Sequence, residues 1–408
     1  MDARQQRGLE IAATMNLEKK ADGMWSVPSQ RLNGKYAVDA SAKRCTCPDY
    51  ESRHKPCKHV FAVEFVLRRE AVTNGATTTV TETAAVRVTY TQNWPAYNAA
   101  QTTEKTQFCR LLHELVADVP EPVHTRGRRP LALSDMLFAA AFKVYSTVSA
   151  RRFMCDLHAA QARGLIRHAP HYNSIFNVTE SERTTPLLYD LVTASSLPLR
   201  ELECDFAADS TGFGTSQSFR YYSMKYGREQ PSHDWLKAHA MVGVKTNVVT
   251  AIVVSDRNDH DSPHFPALVE ATARNFEMRE VSADKAYHSH RNLMLVESKG
   301  AAPFIPFRTN SKPHPESPTW NRLYHYFALN RGEFAAHYHK RSNVESTFSS
   351  IKRVFGDSVR SRTPTAQVNE VLLKVLCHNI RCLIHEAHEL GIAPEFERMT
   401  CPTIPAAA

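Results

Sequence analysis

Near Leu199 the spacing of apolar residues changes from a helical period, which begins at about Ser134, to a strand-like period. Before that point, apolar residues recur every three to four positions, as they do on one face of an amphipathic helix. We predict helices at 103–119 and at 150–163. A further helix is predicted to begin after a cap formed by Ser134-Asp135, and a short one to begin after Pro170. After it, we predict strands at 203–213, 238–246, 248–256, 278–289 and 302–307. Strands followed by helices that bury one face on them describe an α/β layer.

Residues 337–355, which follow the last predicted strand, have two stripes at helical spacing. The apolar stripe is the spacing of a buried seam, and it consists of Val344, Phe348, Ile351 and Phe355. The polar stripe predicts one helical face that carries Tyr338, Arg341, Glu345 and Lys352. Taken alone, such a stripe is more often a solvated face with mixed charges than a functional site.

Residues 1–70 predict a small metal-binding domain. A hairpin of strands at 24–28 and 35–39 precedes a cysteine-rich loop and a helix from about His59. Three thiolates and one imidazole at C-x-C-x9-C-x-H spacing suit one structural tetrahedral Zn²⁺, with the ligands Cys45, Cys47, Cys57 and His59. His54 is a rival ligand, and scattered free cysteines are the alternative. The spacing resembles the SWIM zinc finger, including Pro48-Asp49-Tyr50 and Lys58 inside C-K-H.

Composition narrows the class of protein. At 408 residues, we expect two or three domains, and no run of about 18 apolar residues predicts a membrane span. The N-terminus has no apolar stretch for a signal peptide. A net charge of +8 favours a polyanionic partner such as nucleic acid. Nine cysteines, three of them within residues 45–57, indicate a reducing compartment, so we expect a cytoplasmic, nucleoid-associated protein.

Two aspartates, Asp209 and Asp284, fall where predicted strands end, which is where α/β sheets place their sites. With Glu345 they supply three carboxylates from two strands and a helix. Hydrolysis of a phosphodiester needs an activated nucleophile and stabilised negative charge, and two Mg²⁺ or Mn²⁺ ions held by carboxylates provide both. Other acids are expected to be structural or solvated, namely Asp205, Asp256 and Asp261. The helical spacing of His378, Cys382 and His385 is expected to reflect a buried core, and Cys109, Cys155 and Cys204 are expected to be core thiols.

Asp209, Asp284 and the Y-x2-R-x3-E-x6-K pattern resemble the DDE transposases of bacterial insertion sequences, in the group with the YREK signature. The resemblance covers about residues 126–390, including Lys225-Tyr226-Gly227, residues 235–239 and His260-Asp261-Ser262. It implies an RNase H-like core, a metal-binding triad of Asp209, Asp284 and Glu345, and contacts from Tyr338, Arg341 and Lys352 to DNA phosphates. It also implies strand cleavage that frees a 3′-OH, strand transfer, and an oligomer that joins two DNA ends.

The predicted fold is therefore an α/β, RNase H-like mixed sheet flanked by helices, preceded by a helical DNA-binding region and the zinc domain. The predicted domains are a zinc finger at 1–70, a linker with a helix and a basic arm at 71–128, a helix–turn–helix-like region at 129–200, the catalytic domain at 201–390 and a tail at 391–408. The helical region and the basic arm, Arg126–Pro130, each have a purely structural role as their alternative. Any insertion before Glu345 is short, and its Trp320 is a candidate for stacking on a DNA base, with core packing as the alternative.

The predicted function is transposition: binding to the double-stranded ends of an insertion element, followed by metal-dependent cleavage and strand transfer. Two other functions fit the same sequence. One is a DNA-binding protein that keeps the fold without catalysis, against which the three intact acids argue. The other is a stand-alone nuclease with the same fold.

Overall fold

A computed structural model describes residues 3–15, 17–20, 23–29, 34–73, 93–122, 124, 130–215, 235–308, 310–314 and 317–396. The chain divides into two compact units, Met1–Thr89 and Tyr90–Ala408. Two stretches named above, Lys225-Tyr226-Gly227 and residues 126–129 of the basic arm, lie outside the described residues.

Where the structure describes it, the first unit is a small antiparallel sheet with helices packed beside it. Its elements are α1 (Ala3–Thr14), β1 (Glu18–Lys19), β2 (Trp25–Pro28), β3 (Lys35–Asp39), β4 (Arg44–Cys45), α2 (Pro48–Arg53) and α3 (Lys58–Thr73). The strands lie in the order β1-β2-β3-β4, and β2 pairs with β3 from Trp25–Val38 to Pro28–Lys35. Trp25, Val27, Val38 and Val60 are buried between sheet and helix. The predicted hairpin and helix are confirmed.

Helices open the second unit. They are α4 (Trp94–Val116), α5 (Leu133–Ser146), α6 (Ala150–Ala162), α7 (Tyr172–Glu180) and α8 (Thr184–Ser196), followed by a 3-10 turn, Leu197–Leu199. The predicted cap at Ser134-Asp135 is wrong, because α5 begins at Leu133 after Ala132. The Asp135 side chain turns inward and accepts hydrogen bonds from the backbone N–H groups of Arg167 and His168. A tertiary contact therefore uses the carboxylate that the local pattern assigns to capping.

A five-stranded mixed sheet follows the helices. Its elements and the helices between them are β5 (Asp205–Gly214), β6 (Trp235–Gly243), β7 (Val249–Asp256), α9 (Phe265–Ala273), β8 (Glu280–Ala283), α10 (His290–Ser298) and β9 (Ala302–Phe304). The strand order is β7-β6-β5-β8-β9. The strand β6 pairs antiparallel with both β5 and β7, whereas β8 pairs in parallel with both β5 and β9. A mixed sheet flanked by helices confirms the predicted fold class.

The last part of the unit is helical. It comprises α11 (Pro318–Leu329), α12 (Arg331–Tyr338), a 3-10 turn (His339–Arg341), α13 (Ser342–Phe355) and α14 (Pro364–Leu390). The prediction of one continuous helix over 337–355 is therefore wrong. Lys340 accounts for the break, because its ammonium reaches Asp205 and Glu280 at 2.7 Å each and so holds the turn beside β5 and β8. The predicted apolar seam of α13 is confirmed: Val344, Phe348, Ile351 and Phe355 are 0 to 6% exposed.

The sheet of this unit separates two apolar cores, and the smaller one joins the sheet to α9, α10 and α11. Residues from α4, α5, α8, β5, β7, α13 and α14 form a single buried apolar cluster. Asn379 ties three elements together, since its Nδ2 donates to the carbonyls of Val192 and Val249 and its Oδ1 accepts from Val249 N–H at 2.9 Å.

The predicted core thiols and the C-terminal helix have mixed outcomes. His378 and Cys382 are buried on α14 as predicted, and His378 Nε2 lies 2.9 Å from the carbonyl oxygen of Asn247. Cys109 is buried as well, whereas Cys155 is exposed, which contradicts its assignment as a core thiol. None of the described helices, including the 27-residue α14, combines the length and the hydrophobicity that a bilayer-spanning segment requires.

Candidate active site

The two aspartates emerge side by side from neighbouring parallel strands. The parallel pairing of β5 with β8 ends at Ala208 opposite Ala283, and Asp209 and Asp284 are the next residue of each strand. The strand β5 itself continues to Gly214, paired only with β6. The expectation that a strand ends at Asp209 is therefore wrong, but the parallel ladder does end there. The backbone geometry thus brings the two carboxylates to the same end of the β5–β8 ladder.

The third acid, Glu345, lies in the first turn of α13 and connects to Asp209 through Arg341. One guanidinium nitrogen, Nη1, donates to Asp209 Oδ2, and the other, Nη2, donates to Glu345 Oε1 at 2.7 Å. The three residues thus form one hydrogen-bonded bridge from the strand to the helix. Glu345 is the most accessible member, with 57% of its side chain exposed, against 19% for Asp209.

The charges of the three acids act on one another. Burial raises the pKa of Asp209, and the carboxylates of Asp284 and Glu345 raise it further. The Ser210 N–H and the Arg341 guanidinium oppose this by lowering the same pKa. Crowded carboxylates of this kind gain stability when a cation joins them. Three carboxylates are the oxygen ligands that the hard ions Mg²⁺ and Mn²⁺ prefer, but their oxygens do not lie within 4.8 Å of one another as the four zinc ligands do, and Arg341 lies between Asp209 and Glu345.

The predicted polar stripe lies along the same side of β5. Tyr338, at the end of α12, has its ring 5.8 Å from the Arg341 guanidinium, and burial raises the pKa of its phenol, with Asp284 and Asp209 adding to the shift. Lys352 Nζ donates to Thr211 Oγ1 at 2.7 Å, two residues along β5 from Asp209. Side chains two apart on a strand share a face. The structure therefore places Tyr338, Arg341, Glu345 and Lys352 in one row although they do not share one helix.

A buried histidine behind the site was not predicted. His239 on β6 lies opposite Ser210, is fully buried, and contacts Asp261, Tyr287 and Ser255, with nitrogen–oxygen distances of 3.0 to 3.5 Å. Burial and, to a lesser extent, His264 lower its pKa to about 4, so His239 is neutral at pH 7. Its hydrogen-bonding partners are Tyr287 and Ser255, whereas Asp261 Oδ1 lies 3.3 Å away and accepts no hydrogen bond from the described residues. The segments 235–239 and 260–262 were noted for their resemblance, but without an assigned role.

The other competing acids are not part of the triad. Asp205 forms an ion pair with Arg279 in addition to Lys340, and Asp261 pairs with Lys237 at 2.7 Å. Asp256 is exposed at the end of β7. Their predicted structural or solvated character agrees with these contacts.

Trp320 on α11 belongs to an aromatic cluster. Its indole N–H donates to the Lys312 carbonyl at 2.9 Å, and its ring lies 4.9 Å from Phe307 and 5.0 Å from His288. The ring is only partly buried. These contacts agree with a packing role, and the alternative role in stacking on DNA stays a prediction.

In the first unit, the four predicted zinc ligands converge. Their ligand atoms lie within 4.8 Å of one another, and all four residues are buried: Cys45, Cys47, Cys57 and His59. His59 Nδ1 lies 3.8 Å from the sulfur atoms of both Cys45 and Cys57. A tetrahedral Zn²⁺ with ordinary bond lengths separates sulfur and nitrogen ligands by about 3.6 Å. The ligand set therefore fits Zn²⁺.

The three thiols of this set differ in acidity: the contact with Cys57 and burial raise the pKa of Cys45, and burial raises the pKa of Cys47. Hydrogen bonding from Cys45 lowers the pKa of Cys57 to about 3, with His59 and the Val60 N–H contributing. Thiolates, not thiols, are the metal ligands. The rival ligand His54 is exposed and ends α2 in a left-handed conformation, with φ 52°. It is not a member of the four-residue cluster.

Comparison with known proteins matches both regions. Residues 200–380 match the family model described as "Transposase DDE domain", and residues 31–67 match the SWIM zinc finger. A curated relative from Archaeoglobus fulgidus, "Probable transposase for insertion sequence element ISA1214", is 25% identical over 211 residues, or 51% of this chain. The match covers 62% of that relative. No solved structure matches the chain significantly. Residues 200–380, which are less than half of the chain, are therefore similar to a transposase DDE domain, and residues 31–67 are similar to the SWIM zinc finger.

Proposed function

We propose that this protein is a transposase that cleaves DNA at the ends of its own insertion element and transfers the freed strand to a target. The observation that carries the proposal is the placement of Asp209 and Asp284 at the end of one parallel ladder, facing Glu345 through Arg341. The relative named as a probable insertion-sequence transposase supports it.

In this proposal, Asp209, Asp284 and Glu345 hold two divalent ions. Such ions activate an attacking hydroxyl and stabilise the charge on the phosphate and the leaving oxygen. Asp209 and Asp284 would provide rigid ligands, because Asp209 lies within β5 and Asp284 directly follows β8, and both strands are in the interior of the sheet. Glu345 provides the ligand from the opposite side, and the buried seam of α13 fixes its position.

Three neighbouring side chains would hold the DNA backbone. Arg341 offers a planar pair of donors that suits a phosphate. Lys352 lies seven residues beyond Glu345, or about 10 Å along the helix, so it would contact a different phosphate from the one being cut. Tyr338 offers a hydroxyl beside Arg341. We further propose that the protein acts as an oligomer, because two element ends must meet in one complex.

The direct test is incubation of the purified protein with duplex DNA that carries the sequences flanking its coding region, with Mg²⁺ or Mn²⁺. We expect a strand break that leaves a 3′-OH, followed by joining of that end to a second duplex. The Asp284→Asn variant and the parent in EDTA should give neither product. Breaks without joining would favour a stand-alone nuclease, and binding without breaks would favour a DNA-binding protein that lacks catalysis.

Arg341 should compete with metal when DNA is absent, since its guanidinium bonds oxygens of both Asp209 and Glu345. We therefore expect Arg341→Gln to bind Mn²⁺ at least about tenfold more tightly than the parent, because a neighbouring positive charge is removed. Isothermal titration of DNA-free protein measures this. Lys340→Gln is the matched control, since Lys340 pairs with Asp205 and Glu280 instead. Equal affinity in the parent and Arg341→Gln would show that the bridge does not oppose metal binding.

A further inference from the structure

A groove of about 600 Å³ lies between α5, α7 and α14, beside the last turn of α13. Its wall is largely apolar, and the apolar side chains are Val144, Ile175, Phe176, Phe355 and Leu373. Phe176 is 43% exposed, which is unusual for a large aromatic side chain. The groove therefore presents an aromatic face to whatever enters it.

Charged residues surround this apolar wall, four of them basic and two of them acidic, Glu180 and Glu370. Arg360 is held by a hydrogen bond from its Nη1 to the Thr147 carbonyl at 2.7 Å, and Arg362 lies two residues further along the loop. Lys374, at the bottom, is already satisfied, because it donates to the carbonyls of Gly356 and Ser358. One fixed arginine, Arg360, and a second arginine, Arg362, thus line the groove beside a lysine that serves the fold.

Lys143 differs from these cations. Its ammonium has no acceptor within hydrogen-bond or ion-pair distance among the residues that the structure describes, although it lines the groove and is partly buried. Burial and the nearby Arg360 lower its pKa. The nearest acid, Glu370, accepts hydrogen bonds from the backbone N–H groups of Arg360 and Ser361 and so is already engaged. A partly buried cation without its own partner is the complement of an incoming anion.

We propose that this groove binds one nucleotide of an unpaired DNA strand, with the base against Phe176 and the phosphate at Lys143. The inference rests on the proposed function, which supplies such a strand when an element end is cut. An unpaired base exposes a flat π-face that stacks on aromatic side chains, whereas both faces are covered in a duplex. An apolar wall beside unpaired positive charge matches a base joined to a phosphate.

The position of the groove along α13 is consistent with a strand that leaves the candidate active site. Phe355, which lines the groove, lies ten residues beyond Glu345, or about 15 Å along the helix axis. At 3.4 Å per step of a stacked strand, this is about four nucleotides. Lys352 lies between the two points on the same helix. Helices line the groove and offer no strand edge, so an extended peptide has no backbone to pair with there.

Binding of fluorescein-labelled dT8 to the full chain, followed by anisotropy in EDTA, tests the proposal without catalysis. We expect Lys143→Met to weaken binding several-fold and to reduce the slope of log affinity against log salt by about 1, and Phe176→Ala to weaken it about fivefold or more. Lys143→Arg should retain binding, because it keeps the charge. The matched controls are Lys299→Met and Met294→Ala, which change exposed residues on and after α10.

Acetylation of lysines followed by mass spectrometry locates the strand. We expect dT8 to protect Lys143 but not Lys299. The proposal is overturned if Lys143 is acetylated equally with and without dT8, if both groove variants bind dT8 like the parent, or if a poly-glutamate peptide protects Lys143 and dT8 does not. If the protein cleaves element ends but the expected dT8 binding and protection of Lys143 are not observed, only the groove proposal is overturned. Loss of cleavage with intact protection of Lys143 would overturn the catalytic proposal alone.

Discussion

Replacement of Glu345 by glutamine is expected to reduce DNA strand cleavage by about 10³-fold or more, the usual loss when a member of a catalytic set is removed. Glutamine has nearly the same shape but no charge, so the third anionic ligand of the two proposed metal ions is lost. Its amide oxygen can still accept the hydrogen bond that Arg341 Nη2 donates to Glu345. The variant should therefore change the chemistry and leave the arrangement of side chains intact. Gel analysis of end-containing duplex with Mg²⁺ measures the effect.

The control for this variant is Glu333→Gln, which removes the same charge from an exposed position on α12. It should cleave like the parent. Both variants should unfold within about 0.5 kcal/mol of the parent, since surface substitutions rarely change stability by more. If Glu345→Gln cuts as fast as the parent, Glu345 is not a member of the catalytic set.

The parts of the site that the sequence predicts correctly are those that depend only on the spacing of residues within one helix, strand or loop. The apolar seam of α13 and the strands around Asp209 and Asp284 repeat with the spacing of their own elements, so residue order alone locates them. The four zinc ligands follow from spacing for a related reason, because a single loop brings both pairs together. These predictions needed no knowledge of which element packs on which.

The wrong predictions concern positions whose local structure depends on a contact with residues far away in sequence. Asp209 does not end a strand, because β6 continues to pair with β5 after β8 has stopped. The helix over 337–355 is interrupted where Lys340 reaches Asp205 and Glu280. The Asp135 side chain, which was expected to cap a helix, instead accepts a hydrogen bond from the Arg167 N–H. None of these partners can be identified from the residues next to the position in question.

The same dependence on tertiary contacts explains why Lys143 and His239 had no predicted role. A lysine in an amphipathic helix is ordinarily solvated, and only the packing of α7 and α14 beside α5 makes Lys143 a groove residue. His239 has no helical or metal-ligand spacing, and it matters only because β6 places it opposite Ser210, next to Asp209. The role of each residue can be recognised only when the packing of the strands and helices is known.

Replacement of Cys57 by serine is expected to remove zinc from the protein and to unfold the first unit. Cys57 is fully buried, and its sulfur lies 3.8 Å from His59 Nδ1. Serine offers a hydroxyl that does not ionise at neutral pH, so the tetrahedral set loses one thiolate. Zinc binding contributes directly to the folding free energy of small domains, and metal-free zinc fingers are commonly unfolded. Elemental analysis should fall from about one zinc per chain in the parent to near zero.

Limited proteolysis reports the folding of this unit separately, and Cys155→Ser is its matched control because Cys155 is exposed on α6. We expect Cys57→Ser to be cut within residues 3–73, whereas the control retains zinc and the parent's pattern. Chelation of the parent should reproduce the Cys57→Ser pattern, since loss of metal and loss of a ligand remove the same four-residue centre. A parent purified without zinc would contradict the assignment of the metal. A zinc-free Cys57→Ser variant that resists protease like the parent would show instead that Trp25, Val27, Val38 and Val60 form a core that is stable without zinc.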